Sequence, residues 1–312
     1  MNILITGATG FIGSRLATAL RAWNCHNLSL VCRKSSSRLS SEHISIDAIN
    51  AHTDWARLLL GSNCVIHTAA RAHVMEEEVA DSSAVYRDVN VEGVHNLARQ
   101  AASAGVQRFI FISSIGVNGN MNTNPFTAYD SPMPAEPYAE SKLEAEIGLR
   151  RIARETDMEL VVIRPPLVYG PNAPGNFGRL VRFVARGLPL PFGGINNRRS
   201  LIALDNLVDL IITCIDHPAA ANQIFLAADG QDLSTTELLQ GVARAMGKPS
   251  RLIPVPESLL MLVASVVGKR GLAQRLLGSL QVDISKTRDL LGWEPPISVE
   301  EGLRRCFDPS RK

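Results

Sequence analysis

The sequence of 312 residues predicts a doubly wound α/β fold, in which helices cover both faces of a parallel sheet and a smaller α/β lobe follows. The first observation is that short strand-like runs alternate with helical patterns. The second is that these runs are apolar at successive positions, as in parallel strands buried on both faces. The third is a change of composition after Arg164, where Pro and Gly become frequent.

The strand-like and helical segments follow one another through the first half of the chain. The strand-like runs lie at 3–6, 28–32, 64–69, 108–114 and 160–165. The helical patterns lie near 11–22, 53–60, 83–104 and 138–156. This repetition of strand, helix and strand predicts one parallel sheet wound on both sides.

The chain after Arg164 predicts loops and then a small lobe. The segments 164–178 and 187–197 are rich in Pro and Gly and are predicted to be loops. A strand is predicted at 223–227, and the sequence Ser234-Thr235-Thr236-Glu237 predicts a helix start with a capping box. We expect this lobe to lie over the carboxyl edge of the sheet.

Composition excludes several classes of protein. The net charge of +2 gives no electrostatic footprint for nucleic acid. The five cysteines have irregular spacing and no CxxC pair, which indicates neither a disulfide framework nor a zinc site. We therefore expect reduced thiols and a cytoplasmic protein.

Membrane insertion is not expected. No basic segment precedes the first strand-like run, so we expect no signal peptide. The most apolar stretch, at 259–268, is shorter than the roughly 20 residues that cross a bilayer. We expect the apolar residues at 259–267 to belong to the core or to an interface and not to form a membrane anchor.

The chain opens with MNILITGATGFIG, where three glycines follow an apolar run. At a strand-to-helix turn, Gly7 permits the tight turn, Gly10 lets a pyrophosphate approach the backbone, and Gly13 lets the helix pack on the strand. The helix N-terminus adds unpaired N–H groups for the phosphates. The pattern predicts a Rossmann-type dinucleotide site. The domains that we expect are a dinucleotide-binding domain, 1–168 with 200–228, and a substrate-binding lobe, 169–199 with 229–312.

Motifs along nearly the whole chain resemble those of one family. TGATGFIG (6–13) resembles the fingerprint of the extended short-chain dehydrogenases/reductases, which include sugar-nucleotide epimerases, dehydratases and reductases. The sequence HTAA (67–70) resembles the family's H-x-A-A/G motif, and YAESK (138–142) resembles its YxxxK motif, with Ser114 at a usual distance before it. Further similarities are Asp47, Arg164-Pro165, Tyr169-Gly170-Pro171 and DISKTRDLLGWEP (283–295).

The resemblance implies a catalytic tetrad and a set of cofactor contacts. In the tetrad, Ser114 would hydrogen-bond the reacting oxygen, Lys142 would also hold the nicotinamide ribose, and Asn90 would complete the group around Tyr138. We expect His67 to be a buried end of its strand with a satisfied ring, and not a catalytic group. The implied cofactor-binding residues are Gly7, Thr9, Gly10, Phe11, Ile12, Gly13, Arg33, Asp47, Ala48, Ala69, Ala70, Tyr138, Lys142 and Pro165.

The spacing of Tyr138 and Lys142 predicts their chemistry. Residues four apart share one face of a helix. A free tyrosine has a pKa of about 10 and is a weak base at neutral pH. We expect the ammonium of Lys142 to lower the pKa of Tyr138, so that the phenol can exchange a proton with a sugar hydroxyl or ketone.

The end of the second strand predicts the cofactor. The resemblance implies an acidic residue there in members that prefer NAD, whereas this chain has Cys32-Arg33-Lys34. A guanidinium suits the 2′-phosphate of NADP, so NADP(H) is predicted and NAD(H) is possible. The alternative is a solvated basic loop with no such role.

Residues of the second lobe resemble contacts to a nucleotide sugar. Asn176 and the backbone N–H of Phe177 resemble a loop that binds a UDP diphosphate, and Arg199 resembles an arginine that pairs with the same group. Ser114 and Tyr138 would contact the sugar. Asn118 stands where the family usually has a tyrosine, and we expect this to remove an aromatic group near the sugar.

The expected function is therefore oxidation–reduction at C4 of a UDP-hexose. Ser114 is followed by Ile115-Gly116, where 4,6-dehydratases of this family carry Asp-Glu, so a dehydratase is not expected. The main prediction is reduction of a UDP-4-keto-6-deoxy-N-acetylhexosamine for surface polysaccharide synthesis. The alternatives are a UDP-glucose or UDP-N-acetylglucosamine 4-epimerase with tightly bound NAD, and a non-catalytic dinucleotide sensor. The resemblance also implies a homodimer built on the 83–104 and 138–156 helices.

Overall fold

A computed structural model describes residues 1–23, 26–34, 42–72, 86–268 and 270–308. Its strands are β1 (Asn2–Thr6), β2 (Asn27–Arg33), β3 (His43–Ile46), β4 (Cys64–His67), β5 (Arg108–Ile112), β6 (Glu159–Arg164), β7 (Leu167–Tyr169), β8 (Leu201–Ala203) and β9 (Gln223–Leu226). Its helices are α1 (Phe11–Trp23), α2 (Ala56–Leu59), α3 (Gly93–Ser103), α4 (Pro137–Glu155), α5 (Gly175–Ala185), α6 (Leu204–Asp216), α7 (Thr235–Ala245), α8 (Glu257–Val266), α9 (Arg270–Leu277), α10 (Ser285–Leu291) and α11 (Val299–Arg305). A π-helical turn (Asp88–Glu92) leads into α3, and a 3₁₀ turn (Ile115–Val117) follows β5.

Seven strands form one sheet in the order β3-β2-β1-β4-β5-β6-β9, and every neighbouring pair is parallel. The predicted doubly wound fold is confirmed. The strand order reverses between β1 and β4, and ligands of such sheets bind in the crevice beyond the carboxyl ends of the strands at this reversal.

Alternate residues of each strand enter two different cores. Ile3 and Ile5 of β1 belong to the cluster that includes α1 and α6, whereas Leu4 belongs to the cluster that includes α3 and α4. Both faces of the sheet are therefore covered, which is why the strands are apolar at successive positions.

The second lobe has its own small core and a two-stranded sheet, in which β7 pairs in parallel with β8. Its core includes Tyr169, Phe177, Leu238 and Leu303. The capping box of α7 is confirmed, since the Glu237 N–H donates to Ser234 Oγ (3.1 Å) and the Ser234 N–H donates to Glu237 Oε2 (2.7 Å).

One prediction for the segment after Arg164 is wrong, and one helix was missed. The segment 164–178 is not a loop throughout, because it contains β7 and the start of α5. Pro174 precedes α5 and Gly175 begins it with φ of +67°, so residues that indicate a loop instead mark a helix start. Helix α6 was not predicted at all, because its sequence LDNLVDLIITCID is apolar over most of its circumference.

Of the two places expected for residues 259–267, the core is excluded, and an interface stays a prediction. Helix α8, every residue of which is described, has no buried residue. Over the described parts of the chain, no helix combines the length and the apolar character that a bilayer crossing needs.

The remaining predictions concern cysteines and the 83–104 helix. Cys32, Cys64, Cys214 and Cys306 are free thiols, and Cys25 lies outside the described residues. Of the predicted 83–104 helix, residues 86–104 are described, and 86–103 are helical, including the π-helical turn.

Candidate active site

The glycine turn joins β1 to α1 at the carboxyl edge of the sheet. A Cβ built on Gly7, whose φ is +72°, would lie 2.7 Å from the backbone nitrogen of Ala69, and one built on Gly13 would lie 2.2 Å from the Gly7 oxygen. Gly10 is exposed. Gly7 and Gly13 are therefore required by packing, and Gly10 leaves the outer side of the turn open.

The N-terminus of α1 faces this open side. The Ser14 N–H donates to the Gly10 oxygen (3.0 Å), so the N–H groups of Phe11 and Ile12 come before the first α-helical hydrogen bond. Such groups carry a partial positive charge that suits phosphate. The turn and the helix N-terminus fit the pyrophosphate of a dinucleotide.

The ends of β2 and β3 place the residues predicted for the adenosine side. Arg33 is exposed at the end of β2, and Asp47 follows the neighbouring strand, where it pairs with Lys34 (Nζ–Oδ1 2.7 Å). Both members of this ion pair are exposed. Ala48 follows Asp47, and its oxygen accepts a hydrogen bond from Thr53.

Asn90 joins the loop after β4 to helix α4. It is buried in the π-helical turn, its Oδ1 accepts from the Arg71 N–H (2.9 Å), and its Nδ2 donates to the Arg71 oxygen and to Ser141 Oγ (both 3.1 Å). These bonds hold the backbone beyond Ala69 and Ala70 against the helix that carries Tyr138. In this structure Asn90 is a positioning group.

Tyr138 and Lys142 lie in the first two turns of α4, which begins at Pro137. The Lys142 ammonium is buried, donates to the Ile112 oxygen (2.9 Å) and lies 4.4 Å from the centre of the Phe111 ring and 6.0 Å from that of Tyr138. The predicted common face of the two residues agrees with this geometry.

The expected lowering of the Tyr138 pKa is wrong for this structure. Burial raises the pKa of Tyr138 to about 12, and the nearby phenol of Tyr86 adds to this effect. Burial also lowers the pKa of Lys142 to about 7, against the carboxylate of Glu146, which raises it. Desolvation is therefore the main cause of both pKa shifts.

Ser114 stands two residues after the end of β5 and caps the 3₁₀ turn that follows. Its backbone is extended and its Oγ accepts from the Gly116 N–H (3.1 Å). A Cβ built on Gly116 would lie 3.2 Å from Ala139 Cβ, so this turn packs against the first turn of α4 beside Tyr138. The Pro165 oxygen fixes the same turn by accepting from the Ile115 N–H (2.9 Å).

A buried ion pair behind Lys142 was not predicted. Glu146 is fully buried and receives both ends of the Arg164 guanidinium (Nε–Oε1 2.9 Å, Nη2–Oε2 2.5 Å) and the hydroxyl of Ser113 (2.6 Å). The signal in the sequence is a second interval of four residues, which places Glu146 on the same face of α4 as Tyr138 and Lys142.

Asn118 lies in the interior, and the predicted loss of an aromatic group near the sugar stays a prediction. Its side chain is 1% exposed, because its Oδ1 accepts from Arg164 (2.8 Å) and its Nδ2 donates to the Thr127 oxygen (3.0 Å). Asn118 therefore extends the buried network of Glu146 and Arg164 and does not line an open site.

His67 is confirmed as a buried strand end. Its Nδ1 is hydrogen-bonded to Thr6 Oγ1 (2.8 Å), and its ring stacks near those of Phe109 and Phe111. Burial, with the charge of Lys142, lowers the pKa of His67 to about 3.

The residues predicted to bind a nucleotide sugar lie in the second lobe. Asn176 is exposed in the first turn of α5, and Phe177 is buried against Tyr169, so only the backbone of Phe177 is available to a ligand. The Arg199 guanidinium donates through Nη1 to the oxygens of Arg275 (2.7 Å) and Gly278 (2.9 Å). The Nη1 group of Arg199 therefore stabilises the C-terminal end of α9. The contact of Arg199 with a diphosphate stays a prediction.

Residues 3–228 match the family described as "NAD dependent epimerase/dehydratase family". The chain belongs to this family. A UDP-glucose 4-epimerase from Vibrio cholerae is 45% identical over 307 residues, which cover 97% of this chain and 94% of the relative. An N-acetyl-alpha-D-glucosaminyl-diphospho-ditrans,octacis-undecaprenol 4-epimerase from Escherichia coli O157:H7 is 29% identical over 98% of this chain and 94% of the relative.

Solved structures have the same fold over nearly the whole chain. The UDP-glucose 4-epimerase of Thermotoga maritima, solved with UDP-glucose, has a TM-score of 0.78 and 24% identity, covering 98% of this chain and 97% of that one. The UDP-glucuronic acid 4-epimerase of Bacillus cereus, solved with NAD, has a TM-score of 0.79 and 22% identity, covering 99% of this chain and 96% of that one. The predicted family is therefore confirmed, and the chain is an enzyme of an NAD-dependent family.

Proposed function

We propose that the protein is a UDP-hexose 4-epimerase that uses tightly bound NAD. The observation that carries this proposal is the 45% identity to a UDP-glucose 4-epimerase across almost the whole of both chains. It supports the alternative stated from the sequence better than the main prediction of a 4-keto reductase.

The side chains at the edge of β5 and α4 provide the proton chemistry that epimerisation needs. The Tyr138 oxygen, in its deprotonated form, takes the proton of the C4 hydroxyl and later returns it, and Ser114 holds the same sugar oxygen by a hydrogen bond. Lys142, fixed by the Ile112 oxygen, supplies positive charge beside the phenol. NAD, when bound, would supply the hydride acceptor for C4 and a cationic ring that favours the deprotonated phenol.

The choice between the two dinucleotides depends on the end of β2. Arg33 supports a 2′-phosphate contact, whereas the family and the NAD-bound neighbour support NAD. We propose NAD, because a 4-epimerase gives the hydride back to the same sugar and does not need to exchange its cofactor.

The test is an assay without added cofactor. Purified protein is incubated separately with UDP-glucose and with UDP-N-acetylglucosamine, the products are identified by proton NMR, and the copurifying nucleotide is identified by mass spectrometry. We expect interconversion of at least one C4 epimer pair and retained NAD. Activity only with a 4-keto sugar and stoichiometric NADPH would instead establish the reductase.

Replacement of Tyr138 tests the proposed proton transfer. We expect Tyr138→Phe to lower kcat by about 10² to 10⁴, the usual contribution of a general acid–base group, and to leave retained NAD unchanged. The control is Tyr129→Phe, which removes an exposed phenol and should leave kcat unchanged. Absence of any turnover by the unaltered protein, with NAD bound, would support the sensor.

A further inference from the structure

Helix α8 presents its apolar face to solvent. Five apolar side chains on or just after α8 are largely exposed, and we call them the apolar stripe: Leu259 (48%), Leu262 (62%), Val263 (54%), Val266 (81%) and Val267 (60%). They recur at intervals of three and four residues, which is the pattern that normally faces a core. An apolar surface this continuous on a folded chain indicates an interaction site.

Exposed apolar side chains also occur on the chain segments that precede α8. The backbone of Leu190 exchanges hydrogen bonds with Arg251 (2.9 Å) and Ile253 (2.8 Å), which joins the segment before α8 to the segment after α5. Leu188 and Ile253, which lie on these joined segments, are also half-exposed. Exposed apolar side chains in this part of the chain are therefore not confined to the helix.

The chain before and after α8 is rich in positive charge. Between residues 238 and 280 the sequence has six Lys or Arg residues and one acidic residue, Glu257. The described basic residues of this stretch are exposed: Arg244, Lys248, Arg251, Arg270 and Arg275. Of these, Arg275 pairs with Glu136 (Nη2–Oε1 2.7 Å). Helix α5 adds Arg179 and Arg182 and is followed by Arg186; all three are exposed, and neither the helix nor Arg186 contributes an acidic residue.

This combination favours an anionic lipid surface over a second copy of the chain. A twofold interface would place the same patch of both copies together, which would bring the cations at the ends of α8 in both copies into one interface. A bilayer with anionic headgroups accepts apolar side chains between its lipids and pairs with the cations at its surface.

We propose that α8 docks the protein on anionic membranes, lying on the surface and not crossing it. The apolar stripe would enter the headgroup region, while Arg251 and Arg270, close to the two ends of α8, would contact lipid phosphates. This inference does not depend on the proposed epimerase activity.

The experiment is co-sedimentation of the full chain with vesicles. One set contains phosphatidylethanolamine with phosphatidylglycerol, and the other contains phosphatidylcholine alone. We expect the protein to sediment with the anionic vesicles, less so at high salt, and to stay in solution with the neutral ones. The catalytic variant Tyr138→Phe should sediment like the unaltered protein, so the result is independent of activity.

Two variants test which residues bind the lipid. The double variant Leu262→Gln/Val266→Gln should bind anionic vesicles at least about tenfold more weakly than the unaltered protein, because two apolar side chains lose their burial. The matched control Leu60→Gln changes an exposed leucine at the end of α2 and should bind as before. Thermal unfolding should be unchanged in both, since both changes are on the surface.

Three results would overturn the proposal. The unaltered protein could remain in solution with both kinds of vesicle. The double variant could bind as tightly as the unaltered protein. Light scattering could show a dimer that the double variant alone abolishes, without vesicle binding, which would assign the apolar stripe to a second copy of the chain.

Discussion

At the scale of single residues, burial controls the protonation of the groups around Tyr138. The pKa of Lys142 falls to about 7 and that of His67 to about 3, because each charged form lacks water. His67 is therefore neutral throughout the physiological range, and its role is to bind Thr6 and pack between aromatic rings.

His67 should make the fold sensitive to acid. Below pH 6.5 the ring is protonated in the unfolded chain, whereas the folded chain keeps it neutral down to about pH 3. The unfolded state binds the extra proton in this window, so the free energy of unfolding should decrease as pH falls, by up to about 1.4 kcal/mol per pH unit. Urea denaturation at a series of pH values measures this slope.

The comparison variant for this slope is His67→Gln, which cannot be protonated and keeps an amide near Thr6. We expect its stability to depend less steeply on pH between 6.5 and 3. Equal slopes in the two proteins would show that His67 is protonated in the folded state.

The sequence predicted which residues meet at the site better than it predicted their pKa values. Spacing within one helix places Tyr138 and Lys142 on one face whatever surrounds them. Their desolvation depends on Phe111 and Tyr86, which are distant in sequence. The direction of the Tyr138 shift could therefore not be obtained from the spacing alone.

At the scale of elements, the turn between β1 and α1 tolerates no side chain at Gly13. We expect Gly13→Ala to destabilise the fold by about 1–3 kcal/mol, since its Cβ would lie 2.2 Å from the Gly7 oxygen, and to weaken dinucleotide binding. Thermal unfolding and calorimetric titration with NAD measure the two effects.

The matched control is Gly271→Ala in helix α9, where a Cβ would have no neighbour within 4 Å. This change should be neutral or slightly stabilising, because alanine restricts the unfolded chain. If both variants bind NAD like the unaltered protein, the glycine turn is not the pyrophosphate site.

The buried pair of Glu146 and Arg164 anchors α4 to β6. Glu146→Gln should reduce the free energy of unfolding by about 3–5 kcal/mol, because the Arg164 charge, 1% exposed, would lose its counter-ion. Glu155→Gln, at the exposed end of the same helix, should stay within about 0.5 kcal/mol. Denaturant midpoints compare the two, and similar midpoints would show that the ion pair contributes little.

The sequence predicted elements whose apolar residues form a short continuous run or recur with the period of a helix, and it missed elements whose apolar residues do neither. The predicted runs correspond to β1, β2, β4, β5, β6 and β9, and helical patterns were predicted at α1, α3 and α4, whereas β3, β7 and β8 were not predicted. Helix α5 begins within a Pro- and Gly-rich segment, and α6 is apolar on most sides because the sheet and the second lobe both cover it. Such signals depend on tertiary neighbours and are ambiguous in sequence.

At the scale of the whole molecule, cofactor binding should stabilise the protein. After removal of bound nucleotide, NAD at about a hundred times its Kd should add about 2.7 kcal/mol to the free energy of unfolding and raise Tm. We expect NADP to raise Tm less at the same concentration, and Arg33→Ala to leave the NAD effect unchanged. A larger shift with NADP that Arg33→Ala removes would support the preference predicted from the sequence.

The chain leaves the large sheet after β6, builds β7, α5 and β8, and returns to pair β9 beside β6. The second lobe thus interrupts the first. A chain shortened after Arg164 would lose β9, so the backbone N–H and C=O groups at that edge of β6 would be unpaired. An exposed strand edge of this kind promotes aggregation. No single cut in the chain can therefore separate the two lobes and leave the large sheet whole, because its last strand is made only after part of the second lobe.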